Sequence, residues 1–167
     1  QAAVDQAEAG SADANTIILV IAGDYKERLV VNTPYLSIIG EDREMTKIHF
    51  YPGEFGTDYE AGGDMSLRCA TYIQSGAAGF SAENISFKND YVYSTPDGKS
   101  NKSADALRCD ADSASFINVK FSSIQDTLYM GSGHQYYNKC RIEGVVDFIY
   151  SGDDARAFFN DCEIVFV

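Results

Sequence analysis

The sequence predicts an all-β protein with a single domain over residues 1–167, built as a parallel β-helix with a short N-terminal capping helix. Three observations predict this fold. Short β-branched runs separated by Gly, Asn and Pro are typical of strands, and they fill most of the chain. A sequence phrase returns about every 22 residues, a spacing typical of stacked coils that bury a continuous column of like side chains. The one helical pattern is short and lies at the start.

The opening segment is the predicted helix. Ala3, Val4 and Ala7 fall at helical spacing, and Gly10 marks the end of the pattern. Because the first coil of a β-helix exposes unpaired strand edges, we expect this helix to cover that open end.

Strand patterns follow the helix. The first four runs are rich in β-branched and apolar residues: "NTIILVIAG", "RLVVN", "YLSIIG" and "KIHFY". Four later stretches are variants of one phrase with aromatic residues and a central Asn or Asp: "FSAENISF" (80–87), "SFINVKF" (115–121), "YYNKCRI" (136–142) and "FFNDCEI" (158–164). Phe121, Ile142 and Ile164 follow one another at the repeat spacing. A sandwich of short strands is the competing architecture, but sandwich strands seldom repeat sequence at a fixed spacing.

The chain is strongly acidic, with 25 Asp and Glu against 13 Lys and Arg and a formal net charge of −12. This disfavours nucleic acid and anionic membranes as partners, since both need a basic surface. It suits a secreted protein that self-repulsion keeps soluble. No apolar run approaches the length of a membrane span, and the start lacks the features of a signal peptide. Two origins therefore stay open: a mature chain whose leader was removed, and a chain that never had one.

The four cysteines include no C-x-x-C and there are only two histidines, so a zinc site has little support. Cys140 and Cys162 fall in the same slot of neighbouring coils, where they are either stacked small hydrophobes or a disulfide between coils. Cys69 and Cys109 also recur in matching "LRC" phrases.

Three other polar features receive structural interpretations. His49 is interpreted as an ordinary strand residue and His134 as part of a loop. The polar, turn-rich stretch "STPDGKSNKS" (94–103) predicts a surface loop.

Two aspartates in strand-like surroundings are candidate catalytic residues. The segment "SSIQDTLY" (122–129) places an amide and a carboxylate, Gln125 and Asp126, between two predicted strands. A second acid, Asp147, lies one repeat further on in the otherwise apolar "GVVDFIY". Because stacked strands lie about 4.8 Å apart, the two carboxylates can face each other across one coil spacing.

Two carboxyl groups at that distance do not both ionise cheaply, so one pKa rises and the pair can supply an acid and a base. The ionised member can act as a nucleophile or activate water, and the Gln125 amide can stabilise an oxyanion. This set suits hydrolysis of an ester or a glycoside. Spacing alone leaves two other interpretations open, an Asx-turn that ties the backbone and a calcium site.

At these residues the sequence resembles the pectin methylesterase (pectinesterase) family. The family hallmarks G-Y-Q-D-T-L-Y and G-T-V-D-F-I-F-G correspond to "SIQDTLY" and "GVVDFIYSG", in the same order and at a suitable spacing. The stretches "NTIILVIAGDYKERLVV", "GFSAENISFKND" and "FFNDCEI" also resemble family segments. The likeness therefore extends over essentially the whole chain.

The resemblance implies a right-handed parallel β-helix, secreted, that removes methyl esters from pectin (methyl-esterified polygalacturonate) and needs no metal or organic cofactor. It implies that Asp147 is the nucleophile. Asp126 would protonate the departing methanol and then deprotonate water, while Gln125 would help to stabilise the oxyanion. Further matches line the family's sugar-binding cleft: Tyr129, Val146 and Tyr150. Ordinary packing within the strands is the alternative role for these three residues.

The chain departs from the family pattern at two places. Ser103 in "SADAL" stands where the family motif Q-A-x-A-L has a glutamine, and losing one oxyanion donor can cost on the order of 100-fold in rate. The family's active-site arginine lies in a downstream L-G-R-P-W segment, whereas this sequence ends at "CEIVFV", an apolar strand without a cap. We therefore expect a C-terminally truncated domain. A companion fragment or an assembly that covers the last coil is the alternative.

Three rivals to an active esterase are retained. The chain can be a pectin-binding β-helix without turnover, or an inactive fragment that assembles with another polypeptide. Pectate lyases and polygalacturonases share the architecture but use different site residues. Retention of both Asp126 and Asp147 favours descent from an esterase.

Overall fold

The chain winds into coils of parallel strands. The computed structural model describes residues 1–51, 68–91 and 103–167. Within these ranges, every pairing between two named strands is parallel. The elements are α1 (Ala2–Gln6), β1 (Thr16–Val20), β2 (Gly23–Lys26), β3 (Leu29–Val31), β4 (Leu36–Gly40), β5 (Thr46–Phe50), β6 (Thr71–Ile73), β7 (Ser81–Glu83), β8 (Ser86–Asn89), β9 (Leu107–Cys109), β10 (Ala114–Ile117), β11 (Lys120–Ser122), β12 (Leu128–Asn138), β13 (Arg141–Gly144), β14 (Ile149–Asn160) and β15 (Glu163–Phe166).

Each coil contributes to three faces in turn. Face A contains β3, β6, β9 and the first parts of β12 and β14. Face B contains β1, β4, β7, β10 and the second parts of β12 and β14. Face C contains β2, β5, β8, β11, β13 and β15. The pairing of β12 with β14 shifts register between Met130 and Ser132, where faces A and B meet. This confirms the predicted parallel β-helix, since sandwich strands pair antiparallel.

The repeated phrase is a bend between face B and face C. Each of its four copies ends a strand, passes through one residue with positive φ, and begins the next strand. These bend residues are Asn84, Asn118, Lys139 and Asp161. Three of the four are Asn or Asp, which adopt the left-handed conformation more readily than most residues. The period that the sequence shows is therefore a strand–bend–strand unit.

The cysteines follow the repeat in one case and depart from it in the other. Asn138 pairs with Asn160 and Arg141 with Glu163, so Cys140 and Cys162 occupy equivalent positions of adjacent coils. Both are free thiols, so the disulfide alternative is wrong and the two side chains stack as small hydrophobes.

The matching "LRC" phrases around Cys69 and Cys109 do not share a register. Cys109 of β9 pairs with Ile73 of β6, so Cys69 is out of step with it and precedes that strand. Three identical residues outside the repeat period do not predict that two strands align at those residues.

An aromatic column fills the interior. The rings of Phe116 and Tyr137 stack with centroids 4.9 Å apart, and Tyr137 stacks on Phe159 at 4.7 Å. Phe121 meets Phe116 edge-on at 5.6 Å. The buried Tyr137 hydroxyl donates to Gln135 Oε1 at 2.6 Å, so its polar end is satisfied. Stacked coils thus bury like residues against like.

The N-terminal helix covers the first coil, as predicted, although it ends at Gln6 rather than near Gly10. Val4 is buried against the core. The Gln1 carboxamide donates to Val30 O at 3.0 Å and accepts from Val30 N at 2.7 Å, which occupies the open edge of β3. No helix in the described part of the chain has the length and apolar character needed to cross a membrane.

Both histidines lie in strands. His49 lies in β5, as predicted, and its ring contacts the carboxylates of Asp24 and Asp90. His134 lies within β12, so its assignment to a loop is wrong; the "GSG" before it only shifts the register of a continuing strand. The predicted surface loop at 94–103 lies, apart from Ser103, outside the described residues.

The aromatic column should dominate stability. Replacing the fully buried Phe116 with Ala should lower the free energy of unfolding by about 3–5 kcal/mol, because it opens a cavity among three aromatic neighbours. The matched control is Phe158→Ala, a 63% exposed residue that should cost less than about 1 kcal/mol. Urea unfolding followed by circular dichroism measures both, and equal losses would contradict this packing.

Candidate active site

The candidate site lies on the turns that join face C to face A. Gln125 and Asp126 lie between β11 and β12, and Asp147 lies between β13 and β14. Gln125 forms a parallel bridge with Val146, and Asp126 N donates to Val146 O at 3.0 Å. These contacts align the two turns, so Asp126 and Asp147 occupy equivalent positions of adjacent coils.

The aspartates do not hold the turn together. Thr127 Oγ1 donates to Glu143 O at 2.9 Å and lies 3.3 Å from Ser123 O, which ties the chain across the turn. A Cβ at Gly144 would lie 2.2 Å from Phe148 Cβ, so only glycine fits there. Asp126 and Asp147 both have positive φ, at 58° and 46°, a conformation that Asp tolerates. Among the described residues, no backbone N–H of this turn donates to the Asp126 carboxylate, whereas Thr127 bonds across the turn.

The two carboxyl groups lie in different environments. Asp126 is half-buried and Asp147 is exposed. Burial raises the pKa of Asp126, and the Asp147 charge raises it further, against a hydrogen bond from Ser103 and the charge of Arg68. The pair therefore has the asymmetry expected of an acid and a base.

Gln125 and Val146 flank the pair. Gln125 is half-buried, and its Oε1 is buried without a hydrogen bond from any described residue. Val146 is 38% exposed, so it faces solvent instead of the core. Both residues lie beside the two aspartates in their turns, and their roles in catalysis and in substrate binding stay predictions.

The outer surface of face A carries a stack of planar side chains. The Tyr129 and Tyr150 rings stack at 4.6 Å, and the Arg108 guanidinium lies 5.0 Å from Tyr129 and 5.2 Å from Tyr72. These side chains come from β6, β9, β12 and β14 in register. Tyr129 and Tyr150 therefore belong to a stacked surface that begins at Tyr72, two coils before Tyr129.

Arg108 is engaged within this stack. Its Nε and Nη2 donate to Asp110 Oδ2 at 3.0 and 2.9 Å, and Tyr72 donates to the same oxygen at 2.7 Å. The pair neutralises its own charge, so Arg108 does not supply a free cation to the surface.

Sequence reasoning missed Asp105 and Arg108. Asp105 lies one repeat before Asp126, and Arg108 lies one repeat before Tyr129. The β9–β12–β14 register aligns Asp105, Asp126 and Asp147 as one carboxylate column. The spacing that identified Asp147 would have found Asp105. Among the residues that the structure describes, no three His, Cys, Asp or Glu side chains are arranged to hold a metal ion.

Fold and site together define a β-helical protein whose chemistry-bearing residues sit on the turns between its faces. The sequence matches the family described as Pectinesterase over residues 1–167. "Probable pectinesterase A" of Aspergillus flavus is 35% identical over 159 residues, which cover 93% of this chain and 46% of that protein. "Probable pectinesterase 8" of Arabidopsis thaliana is 32% identical over 167 residues, with 99% and 40% coverage.

Solved structures of pectin methylesterases share the fold of this chain. Pectin methylesterase from Yersinia enterocolitica matches with a TM-score of 0.82 at 28% identity, over 99% of this chain and 53% of that chain. A pectin methylesterase in complex with hexasaccharide VII matches with a TM-score of 0.82 at 31% identity, over 98% and 49%. The chain therefore belongs to the pectinesterase family. It spans about half the length of the relatives it matches.

The coupling of the two aspartates can be measured without turnover. Asp147→Asn should lower the pKa of Asp126, because it removes a like charge that raises this pKa. Carbon-13 NMR of the labelled aspartate carboxyls, titrated against pH, measures the shift. The control Asp161→Asn changes an exposed aspartate that also has a positive φ, in a bend between faces B and C. It should leave the pKa of Asp126 unchanged. An unchanged Asp126 pKa in Asp147→Asn would contradict the proximity of the two aspartates.

Proposed function

We propose that this chain carries the catalytic carboxylates of a pectin methylesterase, which hydrolyses the methyl esters of polygalacturonate and releases methanol. The observation that carries the proposal is the equivalent placing of Asp126 and Asp147 on adjacent coils, one half-buried and one exposed. A desolvated carboxyl keeps its proton to higher pH than an exposed one, so the two are suited to different roles.

Asp147 is the proposed nucleophile. Its carboxylate attacks the ester carbonyl carbon, and the new C–O bond turns the carbonyl oxygen into an oxyanion. The Gln125 amide donates to that oxyanion. As the bond to the methoxy group breaks, Asp126 gives its proton to the leaving oxygen, so methanol departs and an anhydride joins Asp147 to the sugar.

Water completes the cycle. Asp126, now ionised, accepts a proton from water while the oxygen of that water attacks the anhydride carbonyl. The anhydride bond breaks, which releases the galacturonate carboxyl and regenerates the Asp147 carboxylate. Asp126 ends with its proton restored, ready for the next ester. No step needs a metal or an organic cofactor.

The stacked surface on face A supports a pectin substrate. Tyr129 and Tyr150 offer planar apolar faces beside the carboxylate pair, and sugar rings can pack against such faces. Because Arg108 is neutralised by Asp110 and the chain is acidic overall, the surface suits the uncharged ester better than the anionic product. We also propose that the protein acts outside the cell, where polymeric pectin is accessible; its presence in the medium, not the cytosol, of the source cells tests this.

Pectin binding without turnover is the second candidate. The stack of Tyr72, Arg108, Tyr129 and Tyr150 favours it, because these planar side chains contact one another across successive coils and offer a surface on which sugar rings can pack. Binding of methylated homogalacturonan that survives in Asp126→Asn, with no methanol released by the wild type, would favour this candidate over the esterase.

Methanol release from highly methylated homogalacturonan tests the esterase directly. Asp147→Asn should reduce the rate by more than about 1,000-fold, since an amide cannot replace the nucleophile. Gln125→Ala should reduce it by about 100- to 1,000-fold through loss of an oxyanion donor.

The control for this assay is Asp161→Asn, which removes an exposed aspartate from a different turn and should keep the wild-type rate. Methanol release by Asp147→Asn at the wild-type rate would contradict the nucleophile assignment.

A further inference from the structure

The Tyr150 side chain reaches across two coils to a buried carboxyl group. Tyr150 pairs with Tyr129 and Tyr129 with Arg108, so Tyr150 lies two coils after β9. Its hydroxyl donates to Asp105 Oδ1, in the turn that precedes β9, at 2.9 Å. On the coil between them, the Tyr150 ring stacks on the Tyr129 ring with centroids 4.6 Å apart and planes at 26°. Asp126 belongs to the same coil as Tyr129, so the Tyr150 ring lies beside the turn of the proposed acid.

Asp105 is a fixed acceptor for this hydrogen bond. It is 0% exposed, and its backbone oxygen accepts from Ala70 N at 2.9 Å and from Asn89 Nδ2 at 3.1 Å. The Ser103 hydroxyl donates to Asp105 Oδ1 over a longer distance, 3.4 Å, and Oδ2 has no partner among the described residues. Because a buried carboxyl group needs donors, the short hydrogen bond from Tyr150 holds both side chains in place.

The family hallmarks specify neither the hydroxyl nor its acceptor. In the hallmark G-T-V-D-F-I-F-G a phenylalanine stands where this chain has Tyr150, and a phenylalanine ring has no hydroxyl to anchor. The motif Q-A-x-A-L leaves the position of Asp105 open. The anchor therefore follows from this chain's own residues and not from the resemblance.

An anchored ring offers a sugar a prepared surface. A partly exposed aromatic side chain that is held only at its backbone can change rotamer, and a ligand that packs on it then bears the cost of ordering it. Tyr150 is held at both ends, by β14 at its backbone and by Asp105 at its hydroxyl. Its orientation against Tyr129 is therefore set before a ligand binds.

We propose that Asp105 is a positioning residue for substrate binding: by accepting the Tyr150 hydroxyl, it holds that ring against Tyr129 in the orientation on which a galacturonate ring of methylated pectin packs. Asp105 acts only through Tyr150, since it is buried and does not reach the sugar. The proposal rests on the proposed function for the identity of the ligand, whereas the positioning of the ring can be measured without any ligand.

Calorimetric titration with a highly methylated galacturonate oligosaccharide tests the effect on binding, in chains that also carry Asp147→Asn so that the ester is not consumed. Asp105→Val removes the acceptor and should weaken the affinity about 3- to 10-fold, the effect of one intramolecular hydrogen bond. Asp105→Asn keeps an oxygen that accepts from Tyr150, so it should retain the affinity. Tyr150→Phe should weaken binding as much as Asp105→Val. The double variant should be no weaker than either single variant, because both changes remove the same hydrogen bond.

The contact between the rings gives a second measurement, without a ligand. In the wild type, proton NMR should show nuclear Overhauser contacts between the rings of Tyr129 and Tyr150. These contacts should persist in Asp105→Asn and weaken in Asp105→Val and in Tyr150→Phe, because the ring at position 150 has then lost its anchor. If Asp105→Val does not fold, Tyr150→Phe still removes the hydrogen bond from the other side.

The control Tyr136→Phe removes a hydroxyl from a partly exposed ring on face B and should change neither the affinity nor the ring contact. Ring contacts that stay unchanged in Asp105→Val and in Tyr150→Phe would overturn the proposal, as would additive losses of affinity in the double variant. If the chain binds no oligosaccharide, the proposed function and the choice of ligand are overturned, and the NMR contacts still decide whether Asp105 positions Tyr150.

Discussion

The in-register stacking of parallel coils is the constraint on which the rest of this structure depends. Backbone hydrogen bonds between successive coils fix each residue above its equivalent, so any residue type that recurs at the coil length forms a column. The interior aromatic column of Phe116, Tyr137 and Phe159 arises in this way. The carboxylate column on the outer turns follows the same register.

Stacking places identical residue types above one another, and the candidate site depends on how differently the coils bury them. Asp105, Asp126 and Asp147 share one slot, yet they are fully buried, half-buried and exposed in turn. Burial raises the pKa of Asp105 and of Asp126 without any change of residue type. A β-helix can thus derive an acid and a base from a single repeated residue.

The sequence predicted the architecture because a phrase that returns at the length of one coil is a direct signature of stacked coils. It predicted the stacking of Asp126 on Asp147 for the same reason, while their catalytic roles stay predictions. Predictions from short local patterns failed where those patterns did not reflect the alignment of the strands. The shared tripeptide around Cys69 and Cys109 does not align, and the glycines before His134 shift a strand without ending it. Asp105 occupies the unspecified position of the family motif Q-A-x-A-L, so the resemblance gives it no role. Its burial and its contact with Tyr150 depend on side-chain packing across two coils, which spacing cannot supply.

A crystal structure of the Asp147→Asn variant with a methyl-esterified galacturonate oligosaccharide would test the central claim most directly. The sugar should lie over Tyr129 and Tyr150, with an ester carbonyl carbon about 3–3.5 Å from the side chain at position 147. The methoxy oxygen should lie within hydrogen-bond reach of Asp126. An oligosaccharide bound on another face, or with its ester turned away from both turns, would contradict the proposed roles of Asp126 and Asp147.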